Sequence, residues 1–292
     1  MFEEVIVFGA GAIGSTFGAL LSLRTTVTLI GREPHVKAIR KNGLQLANDV
    51  SGTFHVHAET EMKHIPPRAL LLLTTKAHES QNALNQLRSL LKEDTVILVL
   101  QNGLGNEAII RKQLKNKAEV LRGLTDVAAE FLTPGKIRFW KNQTVIEDGS
   151  AADKIRALFK SAGLETEVSK DFLKDTWRKL TINCIINPLT ALLQARNDEI
   201  VTETLKPIRQ EIARECTMVA AADGVNLEIN IDECDAKIKG YHNFSSMSQD
   251  VIKGKTTEID FLNGKVVELG KHHRISTPVN TTLTSLIKSL EG

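Results

Sequence analysis

The chain has 292 residues, 42% of them hydrophobic and 25% charged, with a formal net charge of +2. That is an ordinary globular composition in a chain longer than one core comfortably serves, so two domains are expected. Cations and anions alternate without a basic block, which gives no case for nucleic acid, and the widely spaced Cys184, Cys216 and Cys234 make neither a zinc pattern nor a disulfide framework and suit a reducing cytosol.

The start, Met1-Phe2-Glu3-Glu4, is acidic and does not read as a signal peptide. Every long apolar stretch meets an asparagine or a charge before about eighteen residues, so no membrane span is expected. Val5-Ile6-Val7-Phe8 is a continuous apolar run, as in a parallel strand buried on both faces. A glycine-rich turn follows, then a helix of small and apolar residues over 15–22 and a second strand over 27–30. Pro34 suits the first turn of a helix over 33–41. Residues 43–47 and 53–57 read as short extended segments about a turn at Ser51-Gly52, and the region 43–67 carries no recognisable motif.

Alternation then resumes, with strands over 69–74, 95–100 and 119–121 and helices over 79–91 and 106–114. The runs 124–132 and 136–146, about Thr133-Pro134-Gly135, read as antiparallel strands on the sheet edge. A helix near 152–161 and a strand near 165–168 close the first domain. Strands alternating with helices predict a mostly parallel, doubly wound sheet. After Lys170 the strand-like runs stop. Helices are expected over 171–193, 200–223, 231–238, 247–252, 258–271 and 279–290, so the second domain is helical.

The turn Gly9-Ala10-Gly11-Ala12-Ile13-Gly14 follows a strand and opens a helix, the context in which GxGxxG marks a dinucleotide site. Gly9 permits the tight turn, Gly11 close approach to a pyrophosphate, and Gly14 close helix–strand packing. The helix N-terminus offers unpaired N–H groups to phosphate. An NAD-preferring site usually has an acidic residue after the second strand, whereas this chain has Gly31-Arg32. Arg32, with Lys76 after the strand 69–74, favours a 2′-phosphate and hence NADPH over NADH. Glu33 has the wrong sign for that role unless it points away. Asn102, in Gln101-Asn102-Gly103-Leu104-Gly105, lies at the sheet's carboxyl edge and is a candidate for the nicotinamide ribose or the substrate. A plain strand-to-helix turn would also use Asn-Gly.

In the second half, Lys179, Asn183 and Asn187 are spaced i, i+4, i+8 and form one polar stripe on an otherwise apolar helix. Such a stripe faces either a hydrogen-bonding partner or a wet cleft, because unpaired burial is costly. In the second case a partly desolvated Lys179, its pKa lowered, would donate a proton to a carbonyl as hydride arrives. Pro188 lacks an N–H and should leave the carbonyl of Cys184 unpaired and bend the helix. Asn243-Phe244-Ser245-Ser246 precedes another helix. Either serine would cap it, and Gln249 stands three residues after Ser246 in the capping-box position. Glu258 and Asp260 are expected to open a helix, where the dipole favours carboxylates in any case. Lys271-His272-His273-Arg274 reads as a solvated helix end, and no metal-ligand spacing occurs.

Taken in order, GAGAIG at 9–14, Arg32, TTKAHES around Lys76, QNGLG at 101–105, WRKLTINCIINPLTAL at 177–192, and SSMSQD with TEIDFLNG resemble the ketopantoate reductases (2-dehydropantoate 2-reductases) over nearly the whole chain. The long 177–192 motif is specific; the glycine motif alone is not. The resemblance implies a Rossmann-type doubly wound NADP-binding domain over 1–168. It also implies an all-α substrate domain over 169–292, of the kind that ends 6-phosphogluconate dehydrogenase. The implied enzyme is cytoplasmic and uses NADPH to reduce 2-dehydropantoate to pantoate on the route to coenzyme A. A homodimer is the candidate assembly.

Carried over by position, Lys179 matches the family's general acid, and Glu258 its second catalytic residue, which also counts among the cofactor contacts. Asn183, Asn187, Asn243 and Ser246 match substrate contacts, with Ser246 near the carboxylate. Asn102 matches the residue at the cofactor–substrate junction, and Gly9, Ala10, Gly11, Ala12, Ile13, Gly14, Arg32 and Lys76 match the cofactor site. Gln101 departs from the histidine of several members. Two competitors remain: a reductase of the same architecture acting on another branched 2-oxo acid, and a non-catalytic NADPH-binding regulator. Retention of Lys179 and Glu258 speaks against the regulator.

Overall fold

Val5, Ile6, Val7 and Phe8 are buried, as the centre of a parallel sheet covered on both faces requires. A computed structural model describes residues 2–115 and 117–291. The chain up to Gln101 packs with Gly105–Lys170 as one unit, and Asn102–Leu104 packs with the chain from Asp171 as a second.

In chain order the first unit has strands β1 (Glu4–Phe8), β2 (Thr26–Ile30), β3 (Leu44–Asn48), β4 (Gly52–Phe54), β5 (His57–Glu59), β6 (Leu70–Leu73) and β7 (Val96–Val99). It continues with β8 (Glu119–Thr125), β9 (Ala128–Thr133), β10 (Lys136–Trp140), β11 (Thr144–Ile146) and β12 (Thr166–Val168). Its helices are α1 (Ala12–Leu21), α2 (Glu33–Asn42), α3 (Ser80–Leu87), α4 (Asn106–Leu114) and α5 (Ala152–Ser161). The main sheet runs β12-β11-β8-β7-β6-β1-β2-β5. The six strands from β8 to β5 are parallel, β11 turns antiparallel to β8, and β12 follows β11. Strand order reverses between β1 and β6, the switch point where open α/β sheets bind ligands.

One expectation is corrected. The hairpin of β9 and β10 does not extend the main sheet's edge. It joins β3 and β4 in a separate sheet, β4-β3-β10-β9, with β10 parallel to β3. The physical reason is α1, which is buried from Gly14 to Leu21. A helix apolar on every side needs cover on every side. β1 and β2 provide one cover and β3, β9 and β10 the other, with Leu44, Ile137 and Phe139 buried in the same core.

The second unit has α6 (Phe172–Leu193), α7 (Lys206–Ala222), α8 (Ile231–Ile238), α9 (Ser246–Ile252), α10 (Asn263–His273) and α11 (Pro278–Leu290). α6 lies at its centre, against α7, α9 and α11. α7 starts later than expected because Pro207 occupies its first turn. The helix expected over 258–271 is also corrected: a single 3-10 turn, Ile259–Phe261, is separated from α10 by a backbone break at Leu262 (φ −109°, ψ −105°). No helix among the described residues is long and apolar enough to cross a membrane.

His35 on α2 binds three parts of the first unit together. It is 3% exposed, its Nε2 lies 2.9 Å from Ser15 Oγ on α1, and the Gly135 N–H between β9 and β10 donates to its Nδ1 at 2.9 Å. Phe131 lies against the ring, centroids 4.8 Å apart. A donated bond at Nδ1 assigns the proton to Nε2, so the imidazole is neutral. Burial pulls its pKa from 6.5 down to about 4. The unfolded chain therefore takes up a proton that the folded one refuses. The stability contributed by neutral His35 is complete above the unfolded pKa and is lost as pH falls from 6.5 towards about 4, at about 1.4 kcal/mol per pH unit. Urea unfolding across that window should show the extra slope in the unmodified protein and not in His35→Gln. Parallel curves would contradict the assignment.

Candidate active site

The glycine turn is built from the carboxyl ends of three adjacent strands. The Gly9 and Ala10 N–H groups donate to the Ile30 carbonyl at 3.1 and 2.8 Å, and Thr74 Oγ1 donates to Gly9 O at 2.8 Å. Gly9 has φ +112°, and a Cβ there would lie 2.6 Å from Thr75 N. A Cβ on Gly14 would collide with the Gly9 carbonyl and Thr74 Oγ1. These two glycines are required by the protein itself. Gly11 differs, since a Cβ there would meet nothing within 4 Å. It caps α1 without a side-chain bond, and no acidic residue occupies the first turn. The N–H groups of that turn have no intrahelical partner and offer a positive dipole end. The space at Gly11 and the open helix end fit a pyrophosphate.

Arg32 stands at the N-cap of α2 with its side chain 82% exposed, 3.5 Å from Glu79 Oε1. Glu33 is exposed in the first turn of α2. Lys76 precedes the 3-10 turn Ala77–Glu79 and is half-buried. Its backbone is held by a residue that the sequence marked only as a departure from the family's histidine, with no role attached. Gln101, 4% exposed, donates from Nε2 to Thr75 O (2.9 Å), Thr75 Oγ1 (3.0 Å) and Lys76 O (3.3 Å), while its Oε1 accepts from Ser80 Oγ at 3.0 Å. Gln101 thus clamps the loop that carries Lys76. Its position directly before Asn102 and its departure from the family's histidine were the signals the sequence offered.

In the helical unit, Lys179 and Asn183 are half-buried and Asn187 is buried along one stripe of α6. No side-chain hydrogen bond engages the Asn183 or Asn187 amides among the described residues. Thr190, one turn past Asn187, shares a 2.7 Å hydroxyl contact with Ser245. Ser245 is the N-cap of α9, accepting from Ser248 N at 3.0 Å. The capping box about Ser246 and Gln249 is therefore corrected, and Gln249 Nε2 instead donates to Phe244 O. Relieved of capping, Ser246 is exposed on the first turn of α9. Asn243 is buried, donating from Nδ2 to Phe244 O, and its carbonyl accepts from Asn197 N at 3.0 Å. Asn197 is a further candidate, since its buried Oδ1 has no hydrogen-bond partner among the described residues.

Glu258 is 6% exposed and, contrary to expectation, lies before the short 3-10 turn rather than at the start of a helix. That turn also receives the loop Asn102–Leu104. The Leu104 N–H donates to Phe261 O at 3.3 Å, and a Cβ on Gly103 would lie 2.6 Å from that oxygen. Asn102 is therefore held beside the Glu258 turn. The carbonyl of Cys184, freed by Pro188, is not left unpaired, because Asn263 Nδ2 donates to it at 3.1 Å. Among the described residues no group of three or more His, Cys, Asp or Glu could hold a metal ion.

The family model "Ketopantoate reductase PanE/ApbA" matches residues 5–150, and "Ketopantoate reductase PanE/ApbA C terminal" matches residues 171–291. A 2-dehydropantoate 2-reductase of Pyrococcus horikoshii is 33% identical, over 99% of this chain and 98% of its own. One from Streptococcus pyogenes is 30% identical over the same shares. Among solved structures, a PanE/ApbA family ketopantoate reductase from Ralstonia eutropha superposes with TM-score 0.89 at 31% identity, covering 99% of this chain and 98% of that one. A D-mandelate dehydrogenase with NADH and anilino(oxo)acetate superposes with TM-score 0.88 at 29% identity, again over 99% and 98%.

The glycines separate folding from binding. Gly14→Ala should lose about 1–3 kcal/mol of stability through overpacking against fixed backbone. Gly11→Ala should leave the thermal midpoint unchanged while weakening dinucleotide binding about ten-fold or more, measured by titration. Unchanged dinucleotide affinity in Gly11→Ala would contradict this account of the turn.

Proposed function

The chain belongs to the ketopantoate reductase family, and on that premise we propose that it reduces 2-dehydropantoate to pantoate with NADPH, in the cytosol, on the route to coenzyme A. The observation that carries this reading is the stripe of Lys179, Asn183 and Asn187 on a helix otherwise committed to the core, with two amides left open.

NADPH, when bound, would supply the hydride that reduces the 2-oxo carbon. The α1 N-terminus and Gly11 backbone would hold its pyrophosphate, and Arg32 and Lys76 its 2′-phosphate. Lys179 Nζ donates a hydrogen bond, then a proton, to the carbonyl oxygen as negative charge develops there. The Asn183 and Asn187 amides and Asn243 orient the substrate. Ser246 Oγ meets its carboxylate, and the Glu258 carboxylate accepts from its hydroxyl. Asn102, beside the Glu258 turn, is the candidate for the nicotinamide ribose or the substrate.

A second reading has its own support, the likeness to a D-mandelate dehydrogenase crystallised with NADH. On that reading the substrate is another 2-oxo acid and the cofactor need not be NADPH. Initial rates with 2-dehydropantoate, 3-methyl-2-oxobutanoate and phenylglyoxylate, each with NADPH and NADH, decide between the two. The highest kcat/KM should belong to 2-dehydropantoate with NADPH, and Arg32→Ala should raise the KM for NADPH about ten- to a hundred-fold while sparing NADH, as expected for a lost charge-assisted bond. A preference for phenylglyoxylate with NADH would establish the second reading. Oxidation of neither cofactor with any 2-oxo acid would contradict both.

A further inference from the structure

Pro188 sits inside α6, four residues after Cys184 and one after Asn187. Having no N–H, it cannot donate to the Cys184 carbonyl, and its ring crowds that oxygen. Cys184 is fully buried, so water is no substitute. The donor comes instead from Asn263, the first residue of α10, whose Nδ2 lies 3.1 Å from the Cys184 oxygen. The second hydrogen of Nδ2 goes to Asn280 Oδ1 at 2.9 Å. Asn280 is oriented in turn by Glu215, which accepts from Asn280 Nδ2 at 2.6 Å, Asn280 N at 3.0 Å and Val279 N at 2.8 Å. Glu215, Asn263 and Asn280 are all 0% exposed. The amide of Asn263 therefore has one orientation open to it, with its nitrogen at the defect in α6.

The defect lies between the two open amides. Asn183 precedes Cys184, and Asn187 precedes Pro188. If the Cys184 carbonyl tilted away in search of a donor, the two halves of the stripe would rotate against each other. We propose that Asn263 is a positioning residue for the reduction: it replaces the helix hydrogen bond that Pro188 removes, and so keeps Lys179 and Asn183 in register with Asn187. The proposal rests on the reductase reading, and its site is the backbone of α6 rather than the substrate.

The chemistry of the defect supplies the test. Pro188→Ala restores an N–H that donates to Cys184 O within the helix, which makes the Asn263 bond redundant. Asn263→Ala alone should lower kcat/KM for the 2-oxo acid about ten-fold or more per folded molecule, well below its thermal midpoint, with NADPH affinity unchanged. Pro188→Ala alone should stay close to the unmodified protein. The double variant should recover most of the lost kcat/KM and part of the lost thermal midpoint, the remainder belonging to the Asn280 contact that stays broken. Should Asn263→Ala fail to fold, the double variant should fold and turn over substrate. A double variant as impaired as Asn263→Ala would overturn the proposal, as would an Asn263→Ala protein of undiminished kcat/KM. A thermal midpoint that falls while kcat/KM holds would mean the bond is structural only. An unmodified protein that reduces no 2-oxo acid would sink the reductase reading, and the midpoint cycle, read without substrate, would still report whether Asn263 and Pro188 are coupled.

Discussion

The hydrogen bond from Asn263 to the Cys184 carbonyl joins two stretches of the helical unit that are 79 positions apart in the chain. One carries the stripe of Lys179, Asn183 and Asn187; the other begins five residues after Glu258. A buried carbonyl left without a donor costs about 1–3 kcal/mol. Behind the bond stands Glu215 on α7, a fully buried carboxylate whose three accepted hydrogens include two from the first turn of α11. No side chain of α11 caps that turn, so a carboxylate from another helix meets its exposed N–H groups and dipole. Four helices thus depend on one chain of polar contacts, and the elements carrying the candidate chemistry are positioned by it.

The first unit solves a different problem by exclusion. Gly9 and Gly14 leave no room for a Cβ because β1, α1 and the Thr74-Thr75 segment meet there at backbone distance. That closeness brings the start of α1 to the carboxyl edge of the sheet, beside the Arg32 and Lys76 loops. Gln101 then engages the segment Thr75–Ser80, which carries Lys76, with both ends of its side-chain amide. In both units a buried amide holds the backbone beside residues that are candidates to bind cofactor or substrate.

How much of this was legible in the sequence followed the range of each interaction. The strand–glycine turn–helix at 5–22 was readable because its logic is local, as was the stripe on α6, which needs only the helical repeat. The second sheet was not, since β3 and β10 pair across most of the unit and each alone is a short, ambiguous run. A hint existed, because the residues of α1 are small or apolar on every face and one sheet cannot cover them all. The helix expected over 258–271 failed at Leu262, where Asp260, Asn263 and Gly264 are weak helix formers and the Phe261 carbonyl accepts from Leu104 rather than from its own helix. The cap of α9 could not be assigned between adjacent serines until the Ser248 N–H was seen to donate to Ser245. Pro188 announced an orphaned carbonyl, and only the fold could name Asn263 as its partner.

Replacement of Lys179 by alanine tests the central claim most directly, that the polar stripe of α6 does chemistry rather than binding alone. Turnover of the preferred 2-oxo acid should fall about 10²–10⁴-fold, the range of a lost general acid. NADPH affinity, titrated by the fluorescence of the reduced nicotinamide, should be unchanged. Turnover that persists, or an NADPH affinity that falls in step with it, would contradict the account.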